Sequence, residues 1–312
     1  MQTERLLTGE SDHMETRSAF VAIVGRPNVG KSSILNRLLG QKVAIVSPRP
    51  QTTRTRIMGV LTQDETQLVF TDTPGMHKPR TKLGDFMVGE IGDSIGGVDM
   101  AILVVEEKGE IGPSEESLLE QIRKLDLPTV LVINKIDRLS DKTKLAEVIA
   151  RLSGLYDFSA IVPVSAADGD GLDILRSELC SLAEPGPHFF PDDTLTDQPE
   201  RVIASEIVRE SALKLLTDEV PHGIAVDIES MKERPAGDMI DLTATVYCEK
   251  ESHKGIIIGK KGAMLKRIGS NARTELERVF DVKFNLQLWV KVREDWRNKD
   301  GLLRGFGFKK QD

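Results

Sequence analysis

Aromatic residues are scarce in this sequence, at 4% of positions with two tryptophans and two tyrosines, and there are only two cysteines. Cys180 and Cys248 stand far apart without ligand-type spacing, which speaks against a zinc site or a disulfide framework and for buried thiols in a reducing cytoplasm. Long apolar runs are missing too. The longest strand-like run, Met100 to Val105, falls well short of the ~20 residues that cross a bilayer. The opening MQTERLLTGESDHMETR has neither an apolar core nor a small-residue cleavage site, so residues 1–17 read as a disordered tail and not a secretory signal. The five histidines are scattered, and repeats and low-complexity tracts are absent. What remains is the composition of a globular protein, 39% hydrophobic and 29% charged, and 312 residues exceed one ordinary core.

The net charge of −7 argues against nucleic acid as a partner until its distribution is read. Residues 250–310 hold 16 Lys+Arg against 7 Asp+Glu, so positive charge gathers at one end, where it can attract phosphates. From Phe20 to about Ala183, apolar runs (FVAIVG, QLVFTD, DMAILVV, TVLVIN, AIVPVS) alternate with amphipathic stretches of helical spacing. That alternation predicts an α/β fold, a doubly wound, mostly parallel sheet, with one antiparallel edge strand near Arg56–Gln63. Four prolines between Glu184 and Glu200 mark a linker. Beyond it the pattern changes to α-β-β-α-β, a smaller α+β unit whose last helix is interrupted at Gly269. The expected divisions are a tail at 1–17, a nucleotide-binding domain at 18–185, a linker at 186–199, the second domain at 200–300 and a tail at 301–312.

The run Gly25, Arg26, Pro27, Asn28, Val29, Gly30, Lys31, Ser32 fits G-x-x-x-x-G-K-[ST] between a strand and the helix that begins near Ser33, the context this phosphate loop requires. Its N–H groups and the helix N-terminus favour phosphate, Lys31 can reach the β- and γ-phosphates, and the Ser32 hydroxyl suits Mg2+. After the strand QLVFT come Asp72, Thr73, Pro74 and Gly75. Asp72 is placed to hold Mg2+ through water, and the Gly75 N–H to sense the γ-phosphate. Between these motifs the polar loop Pro48–Arg56 should supply a threonine to the metal, with Thr53 favoured over Thr52. Lys31, Thr53 and Gly75 are thus the candidate catalytic groups. Asn134, Lys135 and Asp137 end the strand TVLVI, where the Asp137 carboxylate can accept from guanine N1–H and the 2-amino group; adenine offers neither, which selects GTP and GDP. Asn134 would brace this loop, the Lys135 stem cover the ring, and the loop Ser165, Ala166, Ala167 give the Ala166 N–H to guanine O6.

Gly259, Lys260, Lys261 and Gly262 form a G-x-x-G turn between Ile-Ile-Ile and a basic helix bearing Lys266, Arg267 and Arg273. Such a turn lets a nucleic-acid backbone approach closely, and within the α-β-β-α-β order it reads as a type II KH domain. Phe280, Phe284 and Trp289 read as packing positions, whereas Trp296 with Arg293, Arg297 and Lys299 reads as an extension of the RNA surface.

Taken together, GRPNVGKS, PQTTR, DTPG, NKID, SAA, IIIGKKG and WVKVREDW resemble the Era family of translation-factor-like GTPases, over about Phe20 to Lys299. The resemblance implies a cytoplasmic monomer that binds 16S-type rRNA near its 3′ end and assists assembly of the small ribosomal subunit, with peripheral membrane association in some members. Met76 follows DTPG where many small GTPases carry a water-orienting Gln, so slow intrinsic hydrolysis is expected. Asn28 then becomes a candidate ligand for K+ beside the β–γ bridge, as in related K+-stimulated GTPases. A GTP-regulated RNA-binding module with negligible turnover remains the alternative.

Overall fold

The computed structural model describes residues 15–75, 81–141 and 143–308. Its first half runs β1 (Arg17–Val24), α1 (Lys31–Leu39), β2 (Ile57–Gln63), β3 (Thr66–Asp72), α2 (Lys82–Ile95), β4 (Met100–Glu106), α3 (Pro113–Lys124), β5 (Thr129–Asn134), α4 (Thr143–Ser153), β6 (Ala160–Pro163), α5 (Leu172–Leu182) and the two-residue β7 (Glu184–Pro185). The strands lie in the order β2-β3-β1-β4-β5-β6, with β7 on the start of β1. All pairings are parallel except β2 on β3 and β7 on β1. Every residue of β5 is buried, because helices cover both faces of the sheet. Alternate residues serve opposite cores: Ile23, Ile102, Val104 and Val132 pack with Leu35 of α1 and Leu175 of α5. Ala22, Leu103, Val105 and Ile133 pack with Leu118 and Ile122 of α3. β1 has β3 on one side and β4 on the other, so the chain order reverses at its carboxyl end and opens a crevice there.

The second half comprises α6 (Glu200–Leu215), β8 (Ala225–Glu233), β9 (Met239–Cys248), α7 (Glu251–Ile258), α8 (Ala263–Phe280), β10 (Lys283–Val292) and α9 (Asp300–Gly305). Its sheet is ordered β10-β9-β8, with β9 parallel to β10 and antiparallel to β8. Four expectations change. The G-x-x-G turn follows a helix, α7, so the order is α-β-β-α-α-β. α8 runs unbroken through Gly269, which lacks a side chain where the helix nears Leu288. Residues 301–308, expected as tail, continue into α9; Leu303 is buried, Phe306 meets the Trp296 ring edge-on and Phe308 stacks on it. The tryptophans also exchange roles: Trp296 is 0% exposed, its Nε1–H donating to Gly223 O at 2.9 Å, whereas Trp289 is 57% exposed on the outward side of β10. Residues 1–14 of the expected tail lie outside the described residues, as does Met76.

The two halves meet along an extensive seam. Leu83, Phe86 and Met87 of α2 enter one apolar cluster with Tyr247, Trp296 and Leu303 of the second half. Lys42, after α1, pairs with Glu210 of α6 and with Glu275 of α8. The Arg49 guanidinium donates to Leu216 O, and Arg209 of α6 donates to Thr52 O. Arg54, 4% exposed, donates to Ile224 O (2.6 Å) and His222 O (3.1 Å) and lies 5.7 Å from the centre of the Trp296 ring. The predicted metal-binding loop is therefore clasped by the second half.

Candidate functional site

In the crevice at the end of β1, the phosphate loop turns into α1 with Asn28 at φ 66° and Gly30 at φ 105°. A Cβ at Gly30 would fall 2.1 Å from Asn134 Nδ2, so this position tolerates only hydrogen. That closeness is functional for the fold of the loop: Asn134, 1% exposed, donates to Val29 O at 2.7 Å and accepts from the Ala166 N–H at 3.1 Å. One amide thus ties together the phosphate loop, the end of β5 and the loop after β6. The Ala166 N–H expected to meet guanine O6 is engaged by that tie. Arg37 of α1 reinforces it by donating to the carbonyls of Ala166 and Ala167. Lys135 donates to Asn28 O at 2.6 Å and pairs with Glu106, so its stem lies along the loop. The Asp137 carboxylate is exposed and held by the Ser165 hydroxyl at 2.8 Å.

The phosphate end is deeply buried. Lys31 Nζ donates to Gly25 O and Arg26 O, each at 3.0 Å. Burial pushes its pKa down to about 8, against the opposing pull of Asp72 and Glu115. Burial likewise raises Asp72, opposed by Lys31 and by the hydroxyls of Ser32 and Thr53. Ser32 Oγ donates to Asp72 Oδ2 at 2.6 Å, Thr53 Oγ1 donates to the same atom at 3.3 Å, and the two hydroxyls are 3.0 Å apart. Asp72 Oδ1 is buried without a hydrogen-bond partner. Two hydroxyls, a shared carboxylate and an orphaned carboxylate oxygen are the donor set a hard dication takes. Thr52 turns away, its hydroxyl donating to Arg49 O.

A cavity of about 520 Å3 runs across these groups, lined by Pro27, Asn28, Gly30, Lys31, Ser32, Ser33, Thr53, Gly75 and Lys135. Arg26 turns out to Glu115 (2.6 Å), Val29 packs into the core, and Thr73 donates to Ile23 O. Pro74 lies beside Gly75, which packs against Pro27 so closely that a Cβ would fall 2.6 Å from the Pro27 Cα. The cavity wall also includes Gln51 of the PQTTR run and Ile45, Val46, Ser47, Arg138 and Lys214, which no motif names. Residues 45–51 simply extend the predicted loop, but Lys214 comes from α6 in the other half and has no sequence signal.

In the second half, Gly259 (φ 71°), Lys261 (φ 51°) and Gly262 (φ 80°) shape the turn between α7 and α8. A Cβ on Gly259 would meet Met264 at 2.7 Å. The exposed Lys260 and Lys261 stand at one end of a groove of about 410 Å3 between α8 and β10. Gly262, Lys266, Gly269 and Arg273 line one wall, Asn285, Leu286 and Leu288 the other; Arg267 is exposed outside it. An apolar floor with cations along one edge suits unstacked bases and their phosphates.

Two family models match the chain, one within each half: 50S ribosome-binding GTPase over residues 20–135 and KH domain over residues 219–297. GTPase Era of Ruminiclostridium cellulolyticum is 51% identical over 296 residues, 95% of this chain and 99% of that protein. The chain belongs to the Era GTPase family. GTPase Era of Clostridioides difficile is 48% identical over 94% of this chain and 98% of its own. A solved structure of Era in complex with MgGDPNP and nucleotides 1506-1542 of 16S ribosomal RNA is 39% identical, with a TM-score of 0.90 over 95% of this chain and 100% of that one. An Aquifex aeolicus Era variant bound to GDP.AlF4- superposes equally well. As an Era-family protein, the chain is a GTPase with a KH-type RNA-binding domain.

Proposed function

We propose that this chain hydrolyses GTP in the β1–α1 crevice, takes small-subunit rRNA near its 3′ end in the α8–β10 groove, and assists small-subunit assembly as a cytoplasmic monomer. The seam carries the reading: within three consecutive residues, Thr53 touches the Ser32–Asp72 centre while Thr52 and Arg54 touch the RNA-binding half. Among the described residues no helix is long and apolar enough to cross a membrane, and peripheral association rests on the family resemblance alone.

In this reading Ser32 and Thr53 would hold Mg2+ directly and Asp72 through water, and the ion would neutralise charge on the β- and γ-phosphates. The phosphate chain gives buried Lys31 an anionic partner in place of two carbonyls, which offsets the burial cost of its charge. Gly75 presents its N–H to the γ-phosphate, and Asp137, fixed by Ser165, accepts from the guanine edge. Attack by water would form a bond to the γ-phosphorus and break the one to the bridging oxygen, whose electron pair stays on GDP while the water proton leaves with the phosphate. Asn28, whose amide joins the phosphate loop to Pro48 O at 3.0 Å, would share a K+ ion that supplies positive charge at the bridge. Single-turnover hydrolysis in K+ is then expected to exceed that in Na+ by about tenfold. Equal rates would remove the ion from the mechanism.

The RNA reading is tested by the double change Lys260→Asp with Lys261→Asp. Affinity for a single-stranded oligonucleotide of the rRNA 3′ end should fall at least about tenfold and lose part of its salt dependence. GTP hydrolysis without RNA should stay unchanged. Full RNA affinity in this variant would place the RNA elsewhere on the protein.

A further inference from the structure

The nucleotide cavity has one wall residue that does not belong to the nucleotide-binding half. Lys214 lies in the last turn of α6, the first helix of the RNA-binding half, yet it lines the same cavity as Lys31, Ser32 and Lys135. Its ammonium is 3.1 Å from Glu210 Oε1, and the same oxygen accepts the Val46 N–H at 3.0 Å. Glu210 is 2% exposed and also pairs with Lys42, so its charge is compensated without Lys214. Lys214 is half exposed and is free to lean from Glu210 into the cavity. Val46 and Ser47 line the same cavity, together with Lys135 and Arg138 of the base-recognition loop and Lys31 and Thr53 of the phosphate site.

We propose that Lys214 is a direct nucleotide contact supplied by the RNA-binding half, its ammonium engaging the phosphate chain of GTP or GDP from the side opposite Lys31. The nucleotide site is then complete only when the two halves are docked. α6 also packs on α8, whose other side lines the RNA groove. One rigid helix therefore touches the nucleotide at its last turn and supports the RNA groove along its length. Occupancy of either site favours the same placement of α6, which makes the two bindings reciprocal. That reciprocity, a control of RNA binding by nucleotide, rests on the proposed RNA site in the α8–β10 groove; the contact itself rests only on the proposed nucleotide site.

The full chain carrying Lys214→Met, which keeps the stem and removes the charge, tests the contact directly. Displacement of a fluorescent GDP analogue should show GDP and GDPNP binding about fivefold weaker than in the unaltered chain, as for loss of one partly exposed charge contact. Lys214→Arg should restore most of that loss, and raising salt should narrow the difference between Met and Lys. Unaltered affinity for both nucleotides in Lys214→Met, or a loss that Lys214→Arg shares in full, would overturn the proposal. A second measurement separates the contact from the coupling: GDPNP affinity with and without the rRNA oligonucleotide. If RNA does not change GDPNP affinity in the unaltered chain, control of RNA by nucleotide fails; the Met and Arg variants still decide the contact.

Discussion

Asp137→Asn is expected to weaken GTP binding at least about a hundredfold and to confer a preference for xanthosine triphosphate. The carboxylate gives guanine two acceptors, one for N1–H and one for the 2-amino group. Replacing one oxygen by an amide sets a donor against that amino group, and both are left unpaired in a closing site. Xanthine carries a carbonyl at the same place and accepts from the new amide. The substitution is nearly isosteric, and Asn keeps an oxygen that can accept from the Ser165 hydroxyl, now 2.8 Å from Asp137 Oδ1, so the loop geometry should survive. Competition of GTP and xanthosine triphosphate for a fluorescent guanine nucleotide reads the outcome. Retained preference for GTP would remove Asp137 from base recognition.

Arg54→Ala should loosen the docking of the two halves by about 3 kcal/mol, the scale for removing a buried, hydrogen-bonded cation. Arg54 satisfies the carbonyls of His222 and Ile224 and covers the Trp296 ring, and truncation leaves those acceptors facing a void. Burial, then the neighbouring Arg209 charge, hold its pKa well below the usual guanidinium range, so the charge is kept in the seam at a cost its acceptors offset. Urea unfolding followed by tryptophan fluorescence should split from one transition into two, with Trp296 reporting the seam and the exposed Trp289 adding a nearly constant background. Because Arg54 adjoins Thr53, the ratio of RNA affinities with GDPNP and with GDP should fall towards one. An unchanged unfolding curve and an unchanged ratio would show that the clasp contributes little.

The phosphate, metal and base motifs were legible because each sits at a strand end, where local sequence dictates both backbone shape and chemistry. Thr53 could be favoured over Thr52 from the sequence, but the observation that separates them is spatial: the Thr53 hydroxyl meets Ser32 and Asp72, whereas the Thr52 hydroxyl turns to Arg49 O. α2 was missed because Gly84, Gly89 and Gly92 dilute its helical spacing, although Leu83 and Met87 are buried one turn apart. α7 was missed because its run of three isoleucines suits a strand better than a helix, and only Ile257 is buried. Trp289 was misjudged against an available signal, since the apolar, more covered positions of β10 are the even ones and Trp289 is odd. Trp296, set among charged residues, gave no such warning; its partners Gly223, Phe306 and Phe308 are brought to it only by the tertiary fold. Lys214 and the Arg54 clasp are long-range encounters of the same kind, and no spacing rule reaches them.

The proline-rich connection has a mechanical consequence. His188 bonds Glu65 O, Phe189 rests on Phe20 at 4.7 Å, Gln67 grips the backbone of Phe189 and Phe190, and Leu195 O and the Thr196 hydroxyl bond β2. Only residues 197–199 separate the last of these anchors from α6. Three residues reach at most about 10 Å, so the RNA-binding half can swing like a door on a short hinge but cannot drift off on a leash. Even with every seam contact broken, an RNA strand held by that half would stay at high local concentration beside the GTP crevice.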